Sequence, residues 1–207
     1  MGRPKKNKKK SRGFKYYNLM KIIAGVDEVG RGSLVGPVYA AAVILKKSIN
    51  TKLLKDSKSI SSFERKVLFV HIKKNSIWAI GKASLKEIEE LNILNASLLA
   101  MKRAIKKLKK KPRLVLIDGN KVPKLQNYKI KNIIKGDQKI PEISAASIIA
   151  KVSRDRLITK MSKKYKNYNW DKNAGYGTNK HLKAIKKFGV TKHHRKTFQP
   201  VHNMLSL

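Results

Sequence analysis

The stretch GVDEVGRGSLVGPV, residues 25–38, sets two carboxylates, Asp27 and Glu28, between an apolar run and a glycine-rich turn. Upstream, Lys21–Val26 (KIIAGV) reads as a short buried strand. Downstream, Val38–Leu45 (VYAAAVIL) reads as a second. An acid just past a strand usually caps a helix or pairs on the surface. Asp27–Glu28 runs straight into Gly30-Arg31-Gly32, which caps no helix, so that explanation is weak here.

Strands and helices alternate outward from this hairpin. Ser61–Lys73 is expected to be helical and Ser76–Ser84 a strand. Lys86–Lys110 carries Ile88, Leu91, Leu94, Leu98, Met101, Ile105 and Leu108 at three- and four-residue spacing, which predicts one long amphipathic helix. Arg113–Ile117 is a buried strand that delivers Asp118 at its end, and Tyr128–Lys135 is a weaker strand leading to Asp137. Pro141–Lys164 reads as a helix whose first half is rich in small residues and suited to close packing. Thr178 is placed to cap a last helix that runs to Phe188 and stops at Gly189. Together these predict one α/β domain over residues 21–207, with a C-terminal helical extension from about residue 160. Residues 1–20 form a basic tail without apolar periodicity, expected to be disordered until it meets phosphate, and Met20 is a possible start of the functional chain.

The chain has 207 residues, 50 Lys and Arg against 12 Asp and Glu, and a formal net charge of +38. Such a surface binds polyanions through counterion release, which makes nucleic acid the expected partner and an anionic membrane surface the second. Lys-rich codon usage would give many of the same residues as plain solvated surface. No apolar run reaches the roughly 20 residues that cross a bilayer. Cysteine is absent, which removes disulfides and thiolate metal sites and fits a cytoplasmic setting.

Acids this scarce make each position informative. Asp27, Glu28, Asp118 and Asp137 all follow candidate strands, and strand ends converge at one edge of an α/β sheet. Gathered there they would repel unless a cation lay between them. Oxygen ligands without Cys or paired His suit Mg²⁺ or Mn²⁺ rather than zinc. Beside a polyanion this suggests phosphodiester hydrolysis by two divalent ions about 3.5–4 Å apart. Asp155, between Arg154 and Arg156 on a predicted helix, is explained by salt bridging alone. His181, His193 and His194 lack the spacing of a metal site.

The chain resembles the bacterial ribonuclease HII family, the type 2 ribonucleases H, on six blocks in order. They are GVDEVGRGSLVGPV, DSKSIS (56–61), IDGN (117–120), KGDQKIPEISAASIIAKVSRD (135–155), GYGT (175–178) and HRKTFQPV (194–201). The resemblance covers about residues 22–201. It implies a ribonuclease H-like fold, a mixed central sheet flanked by helices. It implies cleavage of the RNA strand of RNA–DNA hybrids and nicking 5′ of a ribonucleotide embedded in duplex DNA, leaving 3′-hydroxyl and 5′-phosphate ends. Asp27, Glu28, Asp118 and Asp137 would be the catalytic metal ligands, and the enzyme would act as a monomer. The departure from the usual signature is Ser33 and Val35 where Pro and Ala are more common, a looser loop that touches no ligand position.

Other positions have a physical reading beside the implied one. Gly30, Arg31 and Gly32 would let backbone approach a sugar and read its 2′-hydroxyl, and they would also make a tight turn. Tyr176, between two glycines, would pack on the sugar at the RNA–DNA junction; a loop tyrosine also packs on its own protein. Lys58 is a phosphate candidate or one more surface lysine. Lys151, Arg154 and Arg195 are weaker phosphate candidates. Met204–Leu207 does not form a convincing sliding-clamp peptide. From a different functional class, a non-catalytic nucleic-acid binder would share the charge but gain nothing from four converging acids. A type 3 ribonuclease H would carry a further N-terminal domain, and a DNA-only nuclease would need no ribose reader.

Overall fold

The computed structural model describes residues 22–54 and 60–205. The basic tail, Lys58 and the end of the C-terminal peptide lie outside the described residues.

Five strands form one sheet in the order β3-β2-β1-β4-β5. They are β1 (Ile23–Val29), β2 (Val38–Leu45), β3 (Ser76–Ala83), β4 (Leu114–Asp118) and β5 (Ile130–Ile133). β1 pairs antiparallel with β2, and β2 with β3, while β1–β4 and β4–β5 are parallel. The sheet is therefore mixed, as the resemblance implies, and β1 is its central strand. β2 is buried on both faces, which is why its sequence runs apolar without alternation.

Helix α2 (Leu85–Lys106) covers one face of the sheet. Val38, Ala40, Ala42, Val26, Val115 and Ile117 meet Ala96, Ala100, Met101 and Ile105 there. On the other face, Ala41 and Val43 meet Ala145, Ala146, Ile148 and Ile149 of α3 (Pro141–Ser162), with Phe69 and Ile72 of α1 (Ser62–Lys74) behind. Both α1 and α2 open on capping boxes, Ser61 with Glu64 and Ser84 with Glu87. Small residues matter most where α3 crosses β1. A Cβ built on Gly25 would lie 2.0 Å from the backbone carbon of Glu142, so only glycine lets the helix come this close.

The C-terminal part comprises the short α4 (Trp170–Asn173), α5 (Asn179–Phe188) and α6 (Gln199–Leu205). Trp170, Tyr168, Ile185 and Val201 pack there against Ile158 of α3 and against Leu34 and Val35 of the loop between β1 and β2. Thr178 caps α5 and Gly189 ends it, as the sequence predicts. No helix among the described residues is long and apolar enough to cross a membrane.

Two expectations need correction. The long helix is not continuous: Asn92 has φ 65° and ψ 166°, and its Oδ1 accepts hydrogen bonds from the backbone N–H groups of Leu94 and Asn95. Asn92 interrupts the helix and recaps it, a role that Asn side chains fill through local backbone bonding. The weak strand is also shorter than predicted, because Lys135 turns left-handed (φ 54°) into a 3₁₀ turn at Gly136–Gln138.

Gly25→Ala should drive a methyl into the backbone of α3. We expect destabilisation by about 3 kcal/mol or more, or no folded protein, read by urea unfolding.

Candidate active site

β1 and β4 are parallel neighbours, and their last paired residues near the site are Val26 and Ile117. Asp27 and Asp118 each follow directly, so two acids leave adjacent strands side by side at one sheet edge. Asp27 is 7% exposed. The Ser147 side chain on α3 lies beside its carboxylate and favours the charged form, and its Oδ1 takes a hydrogen bond from the Glu28 backbone N–H at 2.7 Å. Successive residues of a strand point to opposite faces. Glu28 accordingly reaches the α2 side, where it lines a cavity of about 150 Å³ with Asp118, Leu94, Ser97, Leu98 and Met101. The recapped half of α2 beyond Asn92 supplies that wall.

Asp118 is the common neighbour, since its charge acts on both Asp27 and Glu28. Its Oδ1 accepts a 2.6 Å hydrogen bond from the backbone N–H of Gly136. That bond ties β4 to the turn carrying Asp137, itself buried at 2% exposure. The four acids thus occupy one end of the sheet, on β1, β4 and the turn before α3. Among the described residues no three acidic or histidine side chains form a ready cage for an ion.

Burial is the dominant electrostatic cause. It pushes the Asp27 carboxyl well above the usual carboxylate range, and the charges of Glu28 and Asp118 push the same way. Glu28 is also raised by burial, against the lowering effect of Arg31, whose Nη1 lies 3.3 Å from Oε1. The donor set is all oxygen, with Asp27 and Asp137 buried and Glu28 and Asp118 half-buried. That fits a hard divalent cation, which would relieve the cost of ionising these groups.

Of the other expected residues, Arg31 and Gly32 are exposed and Gly30 is buried. The loop after Gly32 is flanked on both sides. Ser33 bridges Tyr176 and Leu34 N–H donates to Gly175 O at 2.9 Å, while Val35 bridges His194 and Gly36 N–H donates to His193 O. Tyr176 therefore lies beside the Gly-Arg-Gly turn, partly exposed, with Lys151 Nζ 5.9 Å and the Arg154 guanidinium 5.8 Å from its ring centre. Lys58 lies outside the described residues.

Two phosphate candidates are overturned. Arg154 and Arg195 are both 0% exposed, and their guanidinium groups donate to backbone carbonyls. Neither reaches solvent, where a phosphate would be met. Asp155 is salt-bridged, as expected, but to Lys151 one helical turn earlier at 3.0 Å rather than to the flanking Arg154. His181 and His194 are buried against Trp170, with Trp170 Nε1–H donating to His181 Nε2 at 2.9 Å and the two Nε2 atoms 3.2 Å apart. Burial lowers both, His194 to about 4, so they pack as neutral rings.

Sequence reading missed Ser147 and Glu142. Ser147 sits in a run of small residues that looks like packing alone. Glu142, half-buried at the start of α3 and raised by desolvation, has a buried Oε2 with no hydrogen-bond partner.

A family model described as Ribonuclease HII matches residues 24–201. This chain belongs to the ribonuclease HII family. It is 72% identical over 186 residues to the ribonuclease HII of Pelagibacter ubique, covering 90% of this chain and all of that one. Among solved structures it is similar to the ribonuclease H2 of Pyrococcus horikoshii, with TM-score 0.74, 26% identity, and coverage of 89% of this chain and 97% of that one. It also shares its fold with Bst-RNase HIII solved in complex with Mn²⁺, with TM-score 0.66, 16% identity, and coverage of 89% and 69%. The ribonuclease H-like fold follows from these likenesses. The chain is a type 2 ribonuclease H, a metal-dependent endonuclease, and family membership carries activity on RNA–DNA hybrids.

A carboxyl raised on folding stabilises the protein below its unfolded pKa and costs stability as pH rises through the folded value. Asp27→Asn should therefore raise the melting temperature of the metal-free protein at pH 7. The gain should shrink as pH falls toward the ordinary Asp range, as read by thermal unfolding across pH.

Proposed function

We propose that this ribonuclease HII nicks duplex DNA on the 5′ side of an embedded ribonucleotide, as well as cutting the RNA strand of hybrids, by hydrolysis that leaves 3′-hydroxyl and 5′-phosphate ends. The observation that carries the reading is the adjacency of two features. The acids at the end of β1 lead directly into a turn whose Gly32 faces Tyr176, with Tyr176 Cε1 3.9 Å from where a Cβ would stand. Chemistry and ribose recognition share one segment of chain.

Asp27, Glu28, Asp118 and Asp137 would hold two divalent ions, Mg²⁺ or Mn²⁺. When bound, such ions supply a water made nucleophilic near neutral pH and stabilise the leaving oxygen. The rest is the work of the chain's own groups. The Glu28 N–H orients the Asp27 carboxylate, with Ser147 beside it, and the Gly136 N–H orients Asp118. Arg31, exposed beside Glu28, is placed to meet a backbone phosphate when substrate arrives. Backbone groups at Gly30–Gly32 read the 2′-hydroxyl, and the Tyr176 ring packs on the sugar. Lys58 is a further phosphate contact in this reading. The strong positive charge draws in the duplex without sequence preference. The same activity supports removal of ribonucleotides from DNA.

The test is a nicking assay on duplex DNA containing one ribonucleotide, with and without Mg²⁺ or Mn²⁺. Metal-dependent cleavage directly 5′ of the ribonucleotide is expected, with none on the all-DNA duplex. Asp118→Asn should remove at least about 10³-fold of the rate while duplex binding persists. Cleavage of plain DNA at the same rate, or wild-type turnover by Asp118→Asn, would sink the reading.

A further inference from the structure

Two buried guanidinium groups lie where the reading loop meets the Tyr176 loop. Arg154, on α3, donates from Nε to Pro37 O at 3.3 Å, from Nη1 to Ala174 O at 3.0 Å and from Nη2 to Val35 O at 2.9 Å. Arg195, from the C-terminal part, donates from Nε to Gly36 O at 2.9 Å and from Nη1 to Arg31 O at 2.8 Å. Its backbone N–H also donates to Leu34 O at 2.8 Å. None of these bonds goes to a carboxylate. Every acceptor belongs either to the loop after Gly30 or to the residue two before Tyr176.

Arg154 also explains the glycine at the head of the loop. Gly30 has φ +90°, and a Cβ there would stand 2.2 Å from Arg154 Nε. The guanidinium thus packs against Gly30 on one side, bonds to Ala174 on another and lies 5.8 Å from the Tyr176 ring centre. The absent side chain of Gly32, by contrast, meets only Tyr176. Arg154 forms a fixed wall between the two halves of the reader, and Gly32 leaves the opening.

Plain stability would be met more cheaply by apolar side chains of similar volume, because burying cations is costly and these two also repel each other. A guanidinium offers what those cannot, a rigid planar fork that fixes several carbonyls at set distances. We propose that Arg154 and Arg195 are positioning residues for substrate selection, holding the Gly30–Gly32 turn and Tyr176 at the separation that admits one ribose. The inference rests on the reading of that turn and Tyr176 as the ribose reader.

The test compares Arg154→Lys and Arg195→Lys in the full chain. Both keep the charge and lose the fork. For each, kcat/KM is measured on duplex DNA with one ribonucleotide and on a uniform RNA–DNA hybrid, together with the melting temperature. A hybrid offers a ribose in every register, so it depends less on the gap. Cleavage at the single ribonucleotide should fall by about tenfold or more, and on the hybrid by less than about threefold. In a Tyr176→Ala background, Arg154→Lys should change single-ribonucleotide cleavage by less than about threefold, as for a residue acting through Tyr176.

Equal losses on both substrates, or an undiminished loss in the Tyr176→Ala background, would make the arginines merely structural and overturn the proposal. Failure of both lysine variants to fold would do the same. If Tyr176→Ala alone cut the single ribonucleotide as well as wild type, the reader itself would be wrong, a failure separable from that of the arginines.

Discussion

The arrangement depends on the close approach of α3 to β1 at Gly25, where helix backbone lies directly on strand backbone. That contact fixes the depth of the central strand beneath the helix. It sets Ser147 beside Asp27, two residues further along β1. It also places the N-terminal end of α3, with the turn that carries Asp137, over the edge where Asp118 leaves β4. Farther along the same helix, Arg154 reaches under Gly30 and Tyr176. One helix packed on one strand therefore registers both the acids and the Gly30–Gly32 and Tyr176 loops, and a sliding of α3 by a single side chain's width would misplace them together.

The site concentrates charge that the fold does not welcome. Asp27 is buried and Glu28 half-buried near Asp118, and desolvation raises each. Arg154 and Arg195 are buried without a hydrogen-bonded carboxylate, and Arg195 is lowered to about 9 by desolvation and by its neighbour Arg154. A buried ion costs several kcal/mol even after relaxation, and a hydrogen bond to a charged group returns about 1.5–3 kcal/mol. Three carbonyl acceptors make Arg154 tolerable. Arg195 has two side-chain bonds and an unpartnered Nη2, and is the more exposed to this cost. Unlike the arginines, the acids have a remedy in the cation that their chemistry suits.

Much of this was legible from residues alone. Val38–Leu45, Ser76–Ser84 and Arg113–Ile117 each appear as strands within a residue, because a central sheet buried on both faces leaves continuous apolar runs, while the strand expected over Lys21–Val26 runs on through Asp27 and Glu28 to Val29. The scarcity of acids in a basic chain made Asp27, Glu28 and Asp118 conspicuous, and the structure places them at one sheet edge. Asn92 was hidden because the apolar periodicity runs straight through it, and only the backbone angle reveals the break. Arg154 and Arg195 were misread as phosphate contacts because nothing local distinguishes two buried cations among 50. Their partners are carbonyls distant in sequence, a relation that spacing does not encode. Ser147 was hidden for a similar reason, as one more small residue in a helix packed closely on a strand.

The central claim is that the acids at the ends of β1 and β4 and in the turn before α3 act as one divalent-metal site beside a ribose reader. Crystals of the enzyme with a non-cleavable ribonucleotide-containing duplex and Mn²⁺, measured for anomalous scattering, test it most directly. The account predicts two Mn²⁺ peaks among Asp27, Glu28, Asp118 and Asp137 at the phosphate 5′ of the ribonucleotide, whose sugar lies between Gly32 and Tyr176. Ions held elsewhere, for instance at Asp155, or a ribose lying away from Tyr176, would contradict it.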